Sequence, residues 1–233
     1  MDGITQHLLI FSSLAYLIGS IPFGLLLSKL FLDVDIRTIG SGNIGATNVL
    51  RSGNKLLAFA TLLLDSGKGA IVIVVSYLVY AFNNVYALNA PDLSHPDSLL
   101  SYAELSACIG FFAILGHCFP IWLKFKGGKG VATALGTLLA AVPYAGLAAC
   151  AAWIITAKVS KISSLSALIA VAVAPIVTAF IYGFAPATIC ALITILVWIR
   201  HKDNIKRLLK GEEPKIGQDK KEKPEHTQKG DKN

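Results

Sequence analysis

The chain has 233 residues, of which 54% are hydrophobic and only 15% are charged. This composition excludes an ordinary soluble domain and is typical of a protein that crosses a bilayer several times. The formal net charge is +7. The four cysteines are far apart and show no metal-ligand spacing, so the sequence predicts neither a disulfide framework nor a metal site, and no cofactor is expected.

Hydrophobic runs predict the helices, because a membrane span needs about 20 apolar residues. In chain order these runs cover residues 4–32, 56–82, 105–123, 163–181 and 184–199. Pro22 is expected to kink the first run, whereas Asp65 and Lys68 place charges inside the second. Residues 131–157 form one further hydrophobic stretch, which Pro143 interrupts.

The distribution of basic residues indicates how the chain crosses the membrane. Lys and Arg cluster in residues 37–55, 124–129, 158–161 and 202–233. Residues 83–104 contain neither, so the positive-inside rule places them outside and the basic clusters in the cytoplasm. This assignment requires residues 131–157 to cross and return as two short helices that meet near Pro143. The predicted fold is an all-α integral membrane protein with seven transmembrane helices, its N-terminus outside and its C-terminus inside.

The C-terminal residues differ in composition from the rest of the chain. Between residues 202 and 233 there are ten Lys or Arg against seven Asp or Glu, and no apolar periodicity continues beyond Leu209. We therefore predict a membrane-embedded domain over residues 1–211 and a charged, disordered cytoplasmic tail over residues 212–233. The tail charge is interpreted as a cytoplasmic retention signal, and no nucleic-acid partner is predicted.

The first polar loop, residues 41–51, lies between two hydrophobic runs and has the composition of an anion site. Ser41, Gly42, Asn43 and Arg51 combine a flexible backbone with hydroxyl, amide and guanidinium donors. The loop also satisfies the GxGxxG pattern of dinucleotide sites. That interpretation requires a preceding strand, and a hydrophobic helix stands there instead, so it is rejected.

The second polar loop contains Gly127, Gly128 and Lys129 just before a hydrophobic helix. Glycines and a lysine at the start of a helix suit a phosphate, which backbone N–H groups, the helix dipole and the ammonium can hold together. The spacing is not that of a Walker A loop, because Leu123 and Gly130 occupy the positions of the first glycine and the Ser or Thr. An ATPase is therefore not predicted.

Polar residues also occur where two later helices meet the membrane surface. Ser164 lies at the start of a hydrophobic run, where helix capping and ligand binding are both open interpretations. His201 and Asn204 follow the last run, and we include both in the candidate site.

Three further candidates lie within hydrophobic runs. Asp65 and Lys68 are three residues apart on one helix, and charges inside a membrane are usually paired or functional. We favour an internal ion pair that braces the site over direct participation in chemistry. His117 precedes the second polar loop, and its role as a base, a ligand or a structural residue stays open.

Four strings of residues, taken together, resemble one enzyme family. They are GSIPFG at residues 19–24, SGNIGATNVLR at 41–51, GHCFPIWLKFKGGKGVAT at 116–133 and RHKDNIKRLLKG at 200–211. In this order they closely resemble the bacterial acyl-phosphate:glycerol-3-phosphate acyltransferases, and the resemblance covers residues 5–211.

The resemblance implies a seven-span enzyme of the bacterial inner membrane with its active site on the cytoplasmic face. Such an enzyme transfers a fatty acyl group from acyl phosphate to the 1-hydroxyl of sn-glycerol 3-phosphate, giving lysophosphatidic acid and inorganic phosphate for phospholipid biosynthesis. It works together with an enzyme that makes acyl phosphate. By motif, Ser41, Asn43 and Arg51 would bind phosphate and acceptor, Lys129 would bind phosphate, and His201 and Asn204 would complete the site. Ser41, His201 and Asn204 are the catalytic candidates.

Two other classes of protein would also use basic, glycine-rich loops. A transporter would place its site near the midplane and show internal repeats, but no repeat is evident and the basic residues stay at one face. A scaffold protein would not need so many glycine and amide groups. The identity of the proton acceptor is left open among His117, His201 and a phosphate oxygen of a substrate.

Overall fold

The structure is a computed structural model that describes residues 3–86 and 96–217, with side chains described for residues 3–82 and 102–217. Within these ranges the chain is all-helical and contains no β-strand, as predicted. The α-helices, in chain order, are α1 (Gly3–Gly19), α2 (Phe23–Leu32), α3 (Ala46–Val49), α4 (Lys55–Tyr86), α5 (Pro96–Cys118), α6 (Val131–Ala141), α7 (Pro143–Ser160), α8 (Ser163–Tyr182), α9 (Phe184–Arg200) and α10 (Lys202–Leu209).

Proline interrupts the helices at the two predicted positions. Helix α1 ends at Gly19 and α2 begins at Phe23, directly after Pro22, so the first hydrophobic run is kinked as expected. Helix α6 ends at Ala141, and Pro143 is the first residue of α7, where its missing N–H is not needed. The prediction of two helices that meet near Pro143 is therefore confirmed.

The lengths of α6 and α7 differ from the prediction of two short helices. At 1.5 Å per residue, the 11 residues of α6 span about 16 Å and the 18 residues of α7 span about 27 Å. Only α6 is of half-length, and the prediction is wrong for α7. Helix α7 is longer than predicted because it continues to Ser160. The next residue, Lys161, adopts a left-handed conformation and ends the helix.

Among the described residues, length and apolar character identify fewer membrane spans than the seven predicted. The segments that qualify are Gly3–Leu32, Lys55–Phe82, Tyr102–Leu123 and Ser163–Tyr182, together with α9 and α10 if that pair, bent by 69°, forms one span. Large apolar side chains cover the outside of these helices: Phe180 is 87% exposed and Phe184 84%. In water such a surface would be unfavourable, so it indicates contact with lipid.

Small residues allow the helices to approach one another closely. A β-carbon at Gly19 would overlap the Ala113 carbonyl, and one at Gly116 would overlap the Tyr16 carbonyl, so α1 and α5 pack backbone to backbone. Alanines such as Ala149 do the same between α7 and α8. This packing fixes the helix ends on which the polar loops depend.

The start of the predicted tail lies against the helical part of the chain. The Ile216 N–H donates to the Lys161 carbonyl at 2.6 Å, and the Glu213 carboxylate contacts residues of α8 and α10. The predicted boundary at residue 211 therefore separates two parts that are in contact. Residues 218–233 of the predicted tail, and the side chains of most of the predicted external segment, lie outside the described residues.

Candidate active site

One buried side chain, the Asn48 amide, organises the first polar loop. Its Nδ2 donates to the backbone oxygens of Ile36, Ile39 and Asn43 at 2.8, 3.1 and 2.8 Å. Its Oδ1 accepts from the Ser41 N–H at 3.1 Å and from Ser41 Oγ at 3.2 Å. A buried amide with this many hydrogen bonds holds its surroundings firmly. Asn48 therefore sets the shape of the loop.

The predicted residues of this loop lie together at its surface. Ser41, Gly42 and Arg51 are exposed, and Asn43 is half-buried. Gly40 adopts a φ of +55°, and a β-carbon there would lie 2.8 Å from Arg51 Cδ. Glycine at this position lets the loop turn and lets the arginine side chain lie across it.

The second polar loop is formed against the end of α5. The Gly127 N–H donates to the Cys118 carbonyl at 3.2 Å, and the Gly128 N–H donates to the His117 carbonyl at 3.0 Å. Arg200, at the end of α9, donates to the carbonyls of Gly127 and Gly128 at 2.8 and 3.0 Å. Its guanidinium also lies 5.2 Å from the centre of the Phe119 ring.

These bonds correct one part of the sequence analysis. We expected the N–H groups of Gly127 and Gly128 to hold a phosphate, but backbone carbonyls already accept from both. The glycines are needed for another reason, because a β-carbon at Gly128 would overlap His117 Nε2 and one at Gly127 would overlap the His117 carbonyl. Lys129 is the residue of this loop whose side chain remains suited to an anion.

A hydrogen-bond network joins Lys129 to the last helix and the start of the tail. Lys129 Nζ donates to Asn204 Oδ1 at 2.6 Å, and Asn204 Nδ2 donates to Glu213 Oε1 at 2.6 Å. Ser164 Oγ donates to the same Glu213 oxygen at 2.7 Å, and Arg207 Nε donates to Glu213 Oε2 at 2.7 Å. Three predicted residues, Lys129, Asn204 and Ser164, thus meet around a carboxylate that the sequence analysis did not select.

Burial and hydrogen bonding shift the pKa values of two members of this network. Burial lowers the pKa of Lys129, and the Glu213 charge opposes that change. Burial alone would raise the pKa of Glu213, but hydrogen bonds from Asn204, Ser164 and Arg207 outweigh burial and lower it. Glu213 is therefore held as a carboxylate, and it keeps the amide of Asn204 oriented so that its oxygen faces Lys129.

The structure tests one of the two interpretations of Ser164, which is helix capping. Helix α8 begins at Ser163, and its N-terminus has no side-chain cap. The Ser164 hydroxyl instead bonds Glu213. The capping interpretation is therefore wrong, and Ser164 belongs to the Lys129 network.

His201 lies between α9 and α10 and is 3% exposed. Its Nδ1 lies 2.8 Å from the Val197 carbonyl, so Nδ1 carries the proton and Nε2 is the ring nitrogen left for an acceptor role. The ring is thereby fixed in orientation next to Arg200. Its chain position places it within the same polar region as Asn204.

Asp65, Lys68 and His117 form a buried group below the second polar loop. Lys68 Nζ lies 2.8 Å from Asp65 Oδ1 and 3.2 Å from His117 Nδ1. The side chains of Lys68 and Asp65 are 0% and 2% exposed. The predicted ion pair is confirmed. Because the His117 ring packs directly against Gly128, this group supports the loop from beneath.

An open cleft of about 500 Å³ separates the two polar loops. Its lining comprises Arg37, Gly42, Ile44, Trp122, Leu123, Lys124, Phe125, Lys126, Gly127 and Arg200. Among these residues, Arg37 donates from Nε and Nη2 to the Asp35 carboxylate, and these hydrogen bonds keep the pKa of Asp35 well below its usual range. Of the predicted site residues, Gly42 and Gly127 line this cleft, and Ser41 is next in the chain to Gly42. The side chains of Lys129 and of the Asp65 group are not part of its lining.

Sequence reasoning missed four residues that shape the site: Asn48, Arg37, Arg200 and Glu213. Asn48 stood inside the selected motif, and its amide type was the available signal. Arg200 directly follows the last hydrophobic run, and its guanidinium holds the carbonyls of the second loop. Glu213 gave no local signal, because only the folded chain brings it to Ser164, 49 residues away.

Within the described residues, the fold and the site define an all-helical integral membrane protein whose basic and polar loops meet at the ends of several helices. A family model described as Glycerol-3-phosphate acyltransferase matches residues 9–211. The chain belongs to the glycerol-3-phosphate acyltransferase family.

Individual relatives agree with this assignment. A glycerol-3-phosphate acyltransferase of Jannaschia sp. is 53% identical over 205 residues, which cover 88% of this chain and 90% of the relative. The protein of the same description from Rhodospirillum rubrum is 53% identical and covers 90% of this chain and 91% of its own. The crystal structure of PlsY, an integral membrane glycerol 3-phosphate acyltransferase, in its glycerol 3-phosphate form superposes with a TM-score of 0.74. The two sequences are 33% identical, and the match covers 90% of this chain and 96% of the PlsY chain.

Proposed function

We propose that this protein transfers a fatty acyl group from acyl phosphate to the 1-hydroxyl of sn-glycerol 3-phosphate. The products are lysophosphatidic acid and inorganic phosphate. The observation that carries the proposal is the meeting of two basic polar loops along one cleft, with Lys129 bonded to an Asn204 that Glu213 holds in place. PlsY has been crystallised in a glycerol 3-phosphate form and a lysophosphatidic acid form, which supports this acceptor and this product.

The serine contacts support direct transfer without an acyl-enzyme. Ser41 Oγ donates to the Asn48 amide oxygen, and Ser164 Oγ donates to Glu213. Neither hydroxyl is bonded to a histidine, which a serine nucleophile would need as its base. An acyl phosphate is already activated, so a site that positions two phosphates and neutralises developing charge suffices.

In the proposed reaction, Arg51 and Lys129 hold phosphate oxygens while Ser41 and Asn43 bind the acceptor. The 1-hydroxyl oxygen attacks the acyl carbonyl carbon, and Asn204 stabilises the charge that develops on the carbonyl oxygen. The bond between that carbon and the phosphate oxygen then breaks, and phosphate leaves with the electron pair.

The hydroxyl proton passes either to a phosphate oxygen of a substrate or to His201 Nε2. His117 is not proposed as the base, because its ring packs against Gly128 and shares its Nδ1 with Lys68. Asp65 and Lys68 are proposed as supporting residues only.

We further propose seven spans, with the N-terminus outside and the C-terminus and active site in the cytoplasm. Helices α6 and α7 would supply the two spans that length and composition do not identify. The enzyme would lie in the bacterial inner membrane, with residues 1–211 as its catalytic domain, and would receive acyl phosphate from a separate enzyme. A reporter fused after Asn233 should be cytoplasmic, and a periplasmic reporter signal there would contradict this topology.

One assay tests the reaction. Purified protein in lipid nanodiscs should convert palmitoyl phosphate and glycerol 3-phosphate into equal amounts of lysophosphatidic acid and inorganic phosphate. Palmitoyl-CoA should give no product in the same assay. If palmitoyl-CoA replaced palmitoyl phosphate as donor, the donor assignment would be wrong. Uptake of glycerol 3-phosphate into vesicles without any acylated product would instead favour a transporter.

A further inference from the structure

The segment over residues 120–126, which we call the interfacial loop, presents apolar and basic side chains side by side. Ile121, Trp122 and Phe125 are 45%, 59% and 61% exposed. Lys124 and Lys126 alternate with them and are exposed as well. Within the described part of the chain, neither lysine has an acidic partner. This loop also lines the cleft between the two polar loops.

The backbone of the interfacial loop is rigid and strained. Lys124 and Phe125 both adopt left-handed conformations, with φ of 51° and 62°. A β-carbon disfavours this conformation, so glycine would be the easier residue at either position. The chain nevertheless carries a lysine and a phenylalanine there, and strain of this kind is typical of positions whose side chains serve a function.

Hydrogen bonds hold this geometry in place. The N–H groups of Leu123 and Phe125 both donate to the Pro120 carbonyl, at 3.1 and 3.0 Å. The Tyr16 hydroxyl of α1 donates to the Phe119 carbonyl at 2.8 Å, which ties the start of the loop to the helix bundle. The exposed side chains are therefore displayed on a fixed platform.

We propose that the interfacial loop docks into the anionic headgroup layer of the membrane, with its aromatic side chains among the upper acyl chains and its lysines at lipid phosphates. Tryptophan and phenylalanine next to lysine fit this layer, because the rings avoid water and the ammonium groups meet negative charge. The occupant of this surface is thus the lipid bilayer, and no protein partner is invoked.

A consequence for the reaction rests on the proposed function. Because the docked loop forms one wall of the cleft, the cleft opens at the level of the lipid headgroups. The lipid-borne anionic donor can then move from the bilayer to the cleft without crossing water. Lys124 and Lys126 raise the local concentration of that donor and take no part in the chemical step.

Tryptophan fluorescence tests the docking without any turnover. A variant with Trp153→Phe and Trp198→Phe keeps Trp122 as the sole tryptophan and is reconstituted into phosphatidylglycerol-containing vesicles. Lipids brominated near the headgroup should quench most of its emission, whereas aqueous iodide should quench little. Strong iodide quenching with no bromine effect would overturn the proposal. If this variant does not fold, Trp122→Phe is made in the wild-type protein instead. The emission that this change removes is the Trp122 signal, and its quenching by brominated lipid and by iodide gives the same comparison.

Kinetics test the consequence for the donor. The double variant Lys124→Gln, Lys126→Gln should raise the apparent KM for palmitoyl phosphate in anionic vesicles by about five- to thirtyfold. This range follows because each lysine at such a surface changes the local concentration of an anion by roughly fivefold. The KM for glycerol 3-phosphate should stay the same. The matched control Lys158→Gln removes an exposed positive charge outside the cleft and should change neither value.

The outcomes separate the two proposals. If the KM for glycerol 3-phosphate rose and the KM for palmitoyl phosphate did not, the proposed role of the lysines would be wrong. Unchanged values of both constants would also contradict it. High salt should narrow the difference between wild type and the double variant, because it screens exposed charges. If wild type failed to use palmitoyl phosphate at all, the proposed function would fail, and the fluorescence result would still decide the docking.

Discussion

The buried ion pair of Asp65 and Lys68 allows a quantitative prediction. Their charged atoms are 2.8 Å apart, and the two side chains are 2% and 0% exposed. At an effective dielectric constant of about 20, two such charges attract by about 6 kcal/mol, which is offset in part by the cost of removing them from water. Asp65→Asn leaves the Lys68 ammonium buried without its counter-charge. We expect this variant to lose about 3–5 kcal/mol of the free energy of unfolding.

Thermal unfolding in detergent measures this loss. For a chain of this size it corresponds to a decrease in Tm of about 6–20 °C. In a Cys108→Ala, Cys150→Ala background a thiol-reactive dye can report unfolding, because the remaining Cys118 and Cys190 are both 0% exposed in the folded protein. Asp33→Asn is the matched control: the position is exposed and left-handed, which asparagine tolerates, so its Tm should hardly change.

A double variant identifies the cause of the loss. Asp65→Asn with Lys68→Met removes both charges, leaves no unpaired ion and should regain most of the lost Tm. If Asp65→Asn were as stable as Asp33→Asn, the pair would not contribute to the fold. If the double variant were less stable than Asp65→Asn, the unpaired charge would not be the reason.

Three further predictions concern the site. Gly128→Ala should reduce activity by more than about a hundredfold, because the added β-carbon overlaps a His117 ring that Lys68 holds in place. Gly67→Ala adds a β-carbon in open space and should retain activity. Equal activity of the two variants would refute the steric explanation. Arg51→Ala and Lys129→Ala should each remove most turnover while the protein still inserts and keeps its Tm; turnover near wild type would contradict their roles in phosphate binding. Glu213 has a lowered pKa in the folded protein, so its stabilising effect is present above its ordinary pKa and is lost as the pH falls through the folded value. The Tm difference between wild type and Glu213→Gln should therefore narrow below pH of about 4, and a difference independent of pH would exclude the charge as its source.

Local patterns predicted the helices because apolar runs and prolines act over short stretches of chain. Pro22 and Pro143 lie at helix breaks as expected, and Asp65 and Lys68 form the expected pair. The error at α7 has a local cause as well. The predicted hydrophobic stretch ends at residue 157, before Lys158, although the long side chain of this lysine allows the helix to continue to Ser160.

The site was predictable only in part, because its polar groups find their partners across the fold. The residue types of the first loop indicated an anion site, but nothing local showed that the Asn48 amide would hold that loop. The glycines of the second loop predicted a set of backbone N–H groups that bind phosphate. Only the packing of its backbone against the end of α5 showed that those of Gly127 and Gly128 are already used.

The sequence by itself determined that this protein is an all-helical membrane protein with basic, glycine-rich loops, since composition, apolar runs and motifs are properties of neighbouring residues. Tertiary structure decided which of those residues act together. The Glu213 carboxylate joins Ser164 of α8 to Asn204 and Arg207 of α10, and the buried Asp65 group packs through His117 against Gly128 of the second polar loop. Hydrogen bonds and ion pairs act only over a few ångströms, so such groupings exist only once the helices have packed.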